Sequence, residues 1–528
     1  APPPASLETL TQDVRRVRLG AADGFLLGGA DGLTETWEAI RMSRAVIEEF
    51  RTRLWMELED PASAGPDWAS RFETWDSLSL DTIQQAADES FFEPWMRFYR
   101  HVDEVFLRLY GMTDAAIRAA EPFAPLGFSM TTCPDEISPL WHGAAAAVEL
   151  IATPPDRVSM ARTAAYRSPA AQTILCVPGA ATPEQAGWWP WHALLNRHAG
   201  LWWNLDAGPE AVMDGPMSVD PVFAEVLDQT KAVRAGFADL FLMAKPAEPP
   251  IAIYDSRASE LLRAARKEPP RASLAGALAI LQRLGFAAEL VASEDSRSDD
   301  LTKYKWLVLP GLDALSDAEV QRIRAFVRAG GLVLADIPPG AFDELGRPRK
   351  DLPLRDLFTM LTPWETEPPA DADPAASRTP QKSHGAYLLN QSFGESFNAE
   401  SLELLETMFR GARCEEMFEI NGADPFIGQR FRFRYGKALV YAALTSPNQP
   451  GRAKYELVIP QEGYVYNMQA GLEVRRPKHI RWRAMPGSVA LFSALPYRVT
   501  AVKTAVPDVV RPGNRLHCGC LACWSLRP

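Results

Sequence analysis

Two kinds of hydrophobic pattern alternate along residues 20–204: short apolar runs, and longer stretches in which apolar residues recur at helical spacing. A loop with Gly, Pro or Asp follows each apolar run. Because short buried strands that alternate with helices are typical of parallel sheets, this pattern predicts a five-stranded parallel sheet. The predicted strands are Phe25–Leu27, Leu126–Met130, Val148–Ala152, Thr173–Val177 and Leu201–Trp203.

Three long helices are predicted in this region, over 35–58, 91–119 and 183–198. The third begins with Thr182 as its N-cap and with Pro183 and Glu184 in its first turn, which are the residue types preferred there. Five strand–helix repeats do not close an eight-stranded barrel. If the region is a TIM barrel, its first strands are missing from this sequence.

A second alternation of strands and helices follows the Pro-rich segment 245–250, which we interpret as a domain boundary. The pattern predicts a small doubly wound α/β domain of the flavodoxin type. Ser316 and Glu319 form a capping box at the start of one of its helices. The predicted strands cover 251–254, 287–292, 305–311 and 331–336, and the helices cover 272–284 and 317–329.

After residue 412 the helical period ends, and strands of alternating character take over. Gly and Pro divide them into short segments, which is typical of an antiparallel β-sandwich. The predicted fold class is therefore α/β with an added sandwich. The three domains are a partial TIM-barrel portion at 1–245, a flavodoxin-like domain at 246–412 and an incomplete sandwich at 413–528.

The composition is that of an ordinary globular protein, with 47% apolar and 23% charged residues. A formal net charge of −12 with scattered Lys and Arg argues against a nucleic-acid partner. No run of about 18 uncharged apolar residues is present, so we expect neither a membrane span nor a membrane partner. Cys133, Cys176 and Cys414 stand singly in or beside apolar stretches and are predicted to be reduced, which favours a soluble, cytoplasmic protein. The first residues, APPPASLETL, resemble the start of a fragment or a mature piece.

Residues 188–203 contain five tryptophans, an unusual density that raises the question of their role. Trp188, Trp191 and Leu195 recur at helical spacing, which predicts the buried face of a helix that packs on the sheet. Trp202 and Trp203 lie near the C-terminal end of a predicted strand, where barrel enzymes hold their active sites. Because sugar rings pack their C–H faces on indoles, the predicted substrate-binding residues are Trp202, Trp203, Asn204 and Asp206.

The sequence resembles the β-galactosidase-like proteins of glycoside hydrolase family 42 over residues 20–500. The resemblance rests on FFEPWMRFYRHVDEVFLRLYGMTDAAIRAAEP with LGFSMTT, on TPEQAGWWPWHALLNRHAGLWW and on KPAEPPIAIYDSRAS. It implies barrel strands four to eight at 1–245, a flavodoxin-like trimerisation domain and a β-sandwich. It also implies a carbohydrate substrate, a homotrimer and no cofactor.

Enzymes of this family need two carboxylates, which lie about 5 Å apart in a retaining glycosidase. The sequence departs from the family pattern at both positions. GGADGLTE follows Phe25–Leu27, which would be barrel strand four, so Asp31 is the nearest candidate for the proton donor, with Glu35 further along. Thr173–Val177 would be barrel strand seven, and no acid follows it before Glu184. The other acids at strand ends are Asp135 and Glu136. Each of these acids is also explained as a loop or cap residue.

Two further kinds of site were considered. The strand ends of the flavodoxin-like region carry no Cys, which disfavours the covalent chemistry of glutamine amidotransferases and favours a role in an interface. A possible site for a soft metal is formed by His517, Cys518, Cys520 and Cys523. These four residues are closer together in the sequence than the ligands of paired zinc knuckles usually are, so no metal is expected.

The leading hypothesis is a glycoside hydrolase that cleaves terminal β-galactoside-type bonds. The alternative is a sugar-binding or structural homologue that has lost both carboxylates, which the altered loop after residue 27 and the acid-free seventh strand favour. A truncated, inactive piece is a third possibility.

Overall fold

The computed structural model of this 528-residue chain describes most, but not all, of its residues. At 34–35, 141–142, 178, 204, 359–360, 501–505 and 519–525 only the backbone is described. The described positions are 12, 14, 25–27, 34–123, 125–130, 141–144, 148–153, 172–178, 182–204, 221–293, 300–360, 385–389, 391–412, 414, 416–422, 426–459, 463–505 and 519–525.

The chain divides into two compact units, which are described separately below. The first unit consists of residues 1–179, 198–206 and 249–415, and the second consists of residues 180–197, 207–248 and 416–528. Both units are therefore built from segments that are distant in sequence.

Up to residue 204 the chain alternates strands with helices. The strands are β1 (Phe25–Leu27), β2 (Leu126–Ser129), β3 (Leu150–Thr153), β4 (Gln172–Pro178) and β5 (Gly200–Asn204). The helices are α1 (Thr34–Arg41), α2 (Arg44–Leu58), α3 (Pro61–Ala64), α4 (Pro66–Arg71), α5 (Leu80–Asp88), α6 (Glu93–Ala120), α7 (Trp141–Ala144) and α8 (Pro183–Leu195).

Residues 221–411 contain six further α-helices and seven further strands among the described residues. The helices are α9 (Pro221–Ala232), α10 (Ala238–Met243), α11 (Arg257–Ala265), α12 (Ala272–Leu284), α13 (Asp317–Arg328) and α14 (Ala399–Gly411). The strands are β6 (Lys245–Pro246), β7 (Ile251–Asp255), β8 (Ala288–Ala292), β9 (Trp306–Leu309), β10 (Leu332–Ala335), β11 (Phe358–Met360) and β12 (Ala386–Leu388).

The rest of the described chain is made of strands. They are β13 (Glu419–Gly422), β14 (Gly428–Tyr435), β15 (Ala438–Thr445), β16 (Ala453–Val458), β17 (Tyr464–Asn467), β18 (Leu472–Glu473), β19 (Ile480–Ala484), β20 (Val489–Leu495), β21 (Arg498–Ala505) and β22 (Gly519–Ser525).

Strands β1 to β5 form one parallel sheet in chain order, as the sequence predicts. Every strand lies within two residues of its predicted bounds. The predicted helix over 35–58 is instead two helices, because Ser43 takes an extended conformation and becomes the N-cap of α2. This part of the first unit therefore has the alternating, parallel architecture of a partial TIM-like fold.

The long helix α6 organises the core of the first unit. Its apolar face is buried, and Tyr110 packs edge-on against Phe128 of β2 with ring centroids 6.1 Å apart. The indole of Trp95, in the first turns of the helix, donates a hydrogen bond to the carbonyl oxygen of Leu261 in α11 at 3.1 Å. The helix therefore connects the first parallel sheet to the helices of the second.

A second parallel sheet, also in the first unit, has the strand order β11-β12-β10-β9-β7-β8. Ser316 caps α13 through the predicted capping box with Glu319. The two short strands β11 and β12 were not predicted from the pattern, because three residues carry too little periodicity. Apolar residues of the central strands, such as Leu307 and Val333, are fully buried.

The second unit contains a sandwich of two antiparallel sheets with the orders β13-β16-β19 and β18-β17-β20-β15-β14-β6. Tyr441 and Phe492 of the larger sheet share a buried cluster with Tyr455 and Leu457 of the smaller one. Strands β21 and β22 form a separate antiparallel pair. Residues 245–246, within the predicted linker, form an edge strand that pairs with β14.

The tryptophan-bearing helix α8 packs on this antiparallel sheet. Trp191 and Leu195 are buried as predicted, but their cluster contains Val440 and Leu491 of the sandwich. The expectation that this face covers the parallel sheet is therefore wrong for the described contacts. The helix after it is broken where Gly236 adopts φ +125°, so the predicted stretch 219–244 becomes α9, a π-helical turn and α10.

None of the described helices combines the length and the apolar character that crossing a bilayer requires.

Candidate functional site

The carboxyl ends of β1 to β5 lie along one edge of the first parallel sheet, because all five strands run in the same direction. In barrel and doubly wound folds this edge carries the ligand site. None of the described residues that end these strands is acidic: they are Leu27, Ser129, Thr153, Pro178 and Asn204.

Trp202 and Trp203 lie on opposite faces of this sheet, because successive residues of a strand alternate. In the ladder between β4 and β5, Trp202 lies opposite Cys176 and Trp203 lies opposite Val177. Trp202 is 41% exposed, whereas Trp203 is half-buried and Val177 is fully buried. The two indoles therefore have different environments.

The register identifies the face that carries Trp203. Phe128 lies opposite Ile151, and Ile151 lies opposite Thr173. Val177 lies four residues after Thr173 on the same strand, so the two side chains share a face. Trp203 lies opposite Val177 and therefore lies on the same face as Phe128, Ile151 and Thr173. Phe128 is the residue that packs against α6, so Trp203 points to the helix-covered side of the sheet.

Trp202 therefore lies on the other face of the sheet. This face also carries Ser129, Ala152 and Ile174: Ser129 lies opposite Ala152, and Ala152 lies opposite Ile174. Gly200 begins β5 on the same face and also lies opposite Ile174. Ser129 and Ala152 are buried, whereas the indole of Trp202 is exposed and presents a flat apolar platform.

Cys176 is the neighbour of Trp202 across the ladder, and it is a free thiol. Burial raises its pKa to about 11, so at neutral pH it is protonated. A protonated thiol is a poor nucleophile. Cys176 therefore contributes surface rather than covalent chemistry. Cys414 is also a free thiol, in agreement with the predicted reduced state.

Glu184 lies in the first turn of α8, where Thr182 accepts a hydrogen bond from the backbone N–H of Gln185. Its carboxylate is exposed, and within the described residues no hydrogen bond or ion pair to it is found. It lines a cleft of about 370 Å³ in the second unit together with Glu225 of α9. This cleft is formed by α8, α9 and the sandwich.

Several predicted site residues lie outside the described part of the chain. Asn204, Cys520 and Cys523 are described only by their backbone, and the same holds for Glu35. The residues that lie outside altogether are Asp31, Cys133, Asp135, Glu136, Asp206, His517 and Cys518. Across the residues that are described, no group of three or more His, Cys, Asp or Glu is placed to hold a metal ion.

A buried ionic network in the first unit was missed by the sequence reasoning. Arg257 of α11 donates two hydrogen bonds to Asp103 of α6, at 2.8 and 2.9 Å, and one to Glu260 at 2.9 Å. Arg271 bridges Glu260 and Asp255. The signal was the segment YDSRASE, in which four charged or hydroxyl side chains directly follow an apolar strand.

The network keeps Glu260 ionised, whereas burial raises the pKa of Asp103 despite its contact with Arg257. Burial by itself would raise the pKa of Glu260, but the charges of Arg271 and Arg257 outweigh it and lower the pKa to about 2. Trp37 adds an indole hydrogen bond to Asp103 at 3.1 Å. All the charged side chains of this network have partners and are largely buried. The network therefore fixes α6 against α11 and offers no ligand site.

Asp336 directly follows β10 in the second parallel sheet, and its carboxylate is held by protein hydrogen bonds. Its carboxylate accepts hydrogen bonds from the backbone N–H groups of Gly311 and Phe393, at 2.7 and 3.0 Å. The hydroxyl of Ser273 donates a third at 2.7 Å. These contacts tie loops at the carboxyl edge together.

His192 of α8 is buried and hydrogen-bonds to Gln429 at 2.9 Å through its Nδ1 atom. Its ring stacks on Trp188 with centroids 4.2 Å apart. Burial lowers its pKa to about 4, against the effect of Gln429. The histidine is therefore neutral at physiological pH and belongs to the packing of α8 on the sandwich.

Comparison with known proteins supplies the context for these features. No protein-family model matches the sequence, and no curated protein matches it. Among solved structures, a catalytic mutant of Gan42B, a GH42 β-galactosidase from G. stearothermophilus, superimposes with a TM-score of 0.62. The identity is 14%, and the match covers 85% of this chain and 75% of Gan42B.

The chain has a GH42-like fold. A β-galactosidase from Rahnella sp. R3 matches with a TM-score of 0.65 at 14% identity, over 92% of this chain and 81% of that one. An exo-carrageenase GH42 from Bacteroides ovatus matches with a TM-score of 0.59 at 12% identity, over 86% of this chain. This chain spans 63% of the length of the carrageenase. At these low sequence identities, the similarity to the GH42 enzymes is a similarity of fold.

Proposed function

We propose that this chain binds carbohydrate at the carboxyl end of the sheet β1 to β5, with Trp202 as the platform for a sugar ring. The observation that carries the proposal is the exposed indole of Trp202 on the face opposite the helix-packed Trp203. The GH42-like fold supports it, because the structures that share this fold are glycoside hydrolases.

The chemistry of the platform fits a sugar. One face of a pyranose ring presents mainly C–H groups, which pack on an indole, while the hydroxyl groups at its rim stay hydrated or hydrogen-bonded. The face around Trp202 contains the side chains of Ser129, Ala152 and Ile174, and none of the described residues of β1 to β5 on this face is charged. These described residues favour a neutral ligand over a charged one.

Hydrolysis of terminal β-galactoside-type bonds is the second candidate function. Similarity to GH42 β-galactosidases favours it, and in this proposal Asp31 is the proton donor of a retaining reaction. The second carboxylate comes from Glu184, Asp135 or Glu136. Sugar binding without hydrolysis ranks first, because the described strand ends lack an acid and Glu184 lies on a helix of the second unit.

The domain assignment remains part of this proposal. Residues 1–245 would correspond to strands four to eight of a barrel, 246–412 to a flavodoxin-like trimerisation domain and 413–528 to a sandwich. The strand order of the second parallel sheet supports the flavodoxin-like part, since β8-β7-β9-β10 repeats the 2-1-3-4 order of that type. The proposed assembly is a homotrimer.

A binding titration tests the first proposal. Isothermal titration of the wild-type chain with methyl β-D-galactoside should show binding, and W202A should weaken it by up to about tenfold, since packing on an aromatic ring contributes about 0.5–1.5 kcal/mol beyond area burial. The matched control is W55A, which removes an exposed indole of α2 and should leave binding unchanged. Equal affinity of W202A and the wild type would overturn the proposal.

An activity assay tests the second candidate function, hydrolysis of β-galactoside-type bonds. Release of p-nitrophenol from p-nitrophenyl β-D-galactoside by the wild type, with loss in D31N, would establish hydrolysis and the donor. Binding without turnover would leave the sugar-binding function alone.

A further inference from the structure

The cleft formed by α8, α9 and the sandwich lies entirely within the second unit and is distinct in its residues from the Trp202 surface. Its volume of about 370 Å³ falls within the ~300–1,000 Å³ typical of small-molecule sites. Glu184 and Gly187 of α8 and Glu225 of α9 line the cleft on its helical side. Gln469 and Pro486 line it on the side of the sandwich.

Packing holds the Glu225 side of the cleft in place. The indole N–H of Trp191 donates to Gln229 at 2.7 Å, and the amide of Gln229 donates to one carboxylate oxygen of Glu225 at 2.9 Å. Gly187 lies directly beneath Glu225, and a Cβ there would come within 3.0 Å of its Cγ and 3.1 Å of its Oε1. The carboxylate is therefore oriented before any ligand arrives.

The sandwich side of the cleft needs a glycine. Gly487 has φ +71°, and a Cβ at this position would lie 2.5 Å from the carbonyl oxygen of Glu184. The turn between β19 and β20 therefore approaches the first turn of α8 more closely than any other residue type allows. This contact fixes Pro486 and Val489 against the helix end.

Hydrogen-bonding capacity in the cleft is left for a ligand. Among the described residues, the carboxylate of Glu184 and the carboxamide of Gln469 have no partner, and Glu225 has only Gln229. The carboxylates accept hydrogen bonds only, whereas a carboxamide both donates and accepts. Glu184 and Gln469 are exposed, and a ligand that contacts all three side chains is complementary when it carries several donors and at least one acceptor.

We infer that this cleft binds a sugar residue as a second carbohydrate site, independent of the Trp202 platform. Sugar hydroxyls donate to the two carboxylates in charge-assisted hydrogen bonds and accept from Gln469. The rings of Pro183 and Pro486 and the side chain of Val489 supply apolar contact for the C–H face. An ammonium ligand would satisfy the carboxylates, but it has no acceptor for the carboxamide of Gln469.

The experiment is done in W202A, so that the proposed Trp202 surface is silent. The full-length W202A chain is titrated calorimetrically with D-galactose, D-glucose, D-mannose, L-fucose and, as a cationic probe, n-butylammonium chloride. At least one sugar should bind, and adding E225Q should weaken that binding about tenfold, the effect of replacing a charge-assisted hydrogen bond with a neutral one.

Two further variants keep the result interpretable. G187A adds a Cβ in close contact with the side chain of Glu225 and should weaken binding of the same sugar. E248Q removes an exposed carboxylate of the second unit outside the cleft and should leave the sugar affinity unchanged. Thermal unfolding of each variant shows that it is folded. Glu184 is left unchanged because it is also a candidate for catalysis.

The outcomes separate this inference from the proposed function. Loss of all sugar binding in W202A, or binding of n-butylammonium alone, overturns the second site and leaves the Trp202 surface intact. Binding that W202A does not affect but E225Q reduces supports the cleft and contradicts the Trp202 platform. Sugar affinity equal in W202A and W202A/E225Q also overturns the inference.

Discussion

Trp202 and Cys176 lie directly opposite each other in the ladder between β5 and β4, on the face of the sheet that α6 does not cover. Trp203, one residue later, is on the helix-covered face. A pair of adjacent tryptophans thus divides into one that is exposed and one that lies on the helix-packed face. The division follows from the two-residue period of a strand.

Thermal unfolding of two alanine variants tests this division. W203A should lower the free energy of unfolding by about 2–3 kcal/mol, since it removes a large half-buried side chain. W202A should change it by less than about 1 kcal/mol, because the indole is 41% exposed. A larger loss in W202A than in W203A would contradict the assignment of the two faces.

The buried ion network makes a second prediction. R257M removes the guanidinium that contacts both Asp103 and Glu260 and leaves two buried carboxylates with one fewer partner. We expect a loss of about 3–5 kcal/mol in the free energy of unfolding, measured by urea denaturation. R44M, which breaks an exposed pair with Glu48, should cost less than about 0.5 kcal/mol. Similar costs for both variants would show that the buried network is not stabilising as described.

Stability should depend on pH through His192. Its pKa is about 4 in the folded chain, below the ordinary value of 6.5, so the unfolded chain binds more protons between these values. The free energy of unfolding should therefore decrease as the pH falls from 6.5 to 4, with a slope from this group of up to about 1.4 kcal/mol per pH unit. H192Q should reduce that slope in urea denaturation, and an unchanged slope would contradict the prediction.

Glu260 extends this behaviour to lower pH. Its folded-state pKa of about 2 lies below the ordinary value of 4.5, so its contribution to stability is present above pH 4.5 and is lost as the pH falls toward 2. Urea denaturation of E260Q between pH 5 and 2 should show a shallower pH dependence than the wild type. A slope equal to that of the wild type would mean that Glu260 does not titrate as described.

Two helical glycines provide a matched test of packing. A Cβ on Gly276 of α12 would lie 1.8 Å from the carbonyl oxygen of Phe393, whereas a Cβ on Gly111 of α6 meets nothing within 4 Å. G276A should destabilise the fold by more than about 2 kcal/mol, and G111A should stabilise it by up to about 1 kcal/mol. Differential scanning calorimetry of the two variants gives the signs, and a stabilising G276A would refute the close approach.

Much of the fold was predictable from local pattern. The five strands of the first sheet follow from their apolar runs, and the helix α12 follows from its periodicity between a Pro-rich loop and Gly285. The capping box at Ser316 was readable because its residues are adjacent in sequence. These features depend on neighbours within about one helical turn.

Long-range features were not predictable. The burial of Trp191 was correctly predicted, but its partner sheet was not, because helical spacing shows which face is buried and not what covers it. The pairing of β6 with β14 joins residues almost two hundred positions apart. Arg257 and Asp103 are also far apart in the sequence, so no local pattern predicts their contact.

The candidate site was predictable only as a location. The alternation within Leu201–Trp203 determines that the two indoles point to opposite faces, but only the packing of Phe128 on α6 identifies the face that this helix covers. The cleft beside Glu184 required three segments of the second unit to meet. The predicted acids Asp31, Asp135 and Glu136 remain proposals.

The most direct test of the central claim is a crystal structure of the chain soaked with methyl β-D-galactoside. We predict electron density for a sugar ring packed against the exposed face of the Trp202 indole. Density for the sugar elsewhere, with the Trp202 face covered by protein, would contradict it.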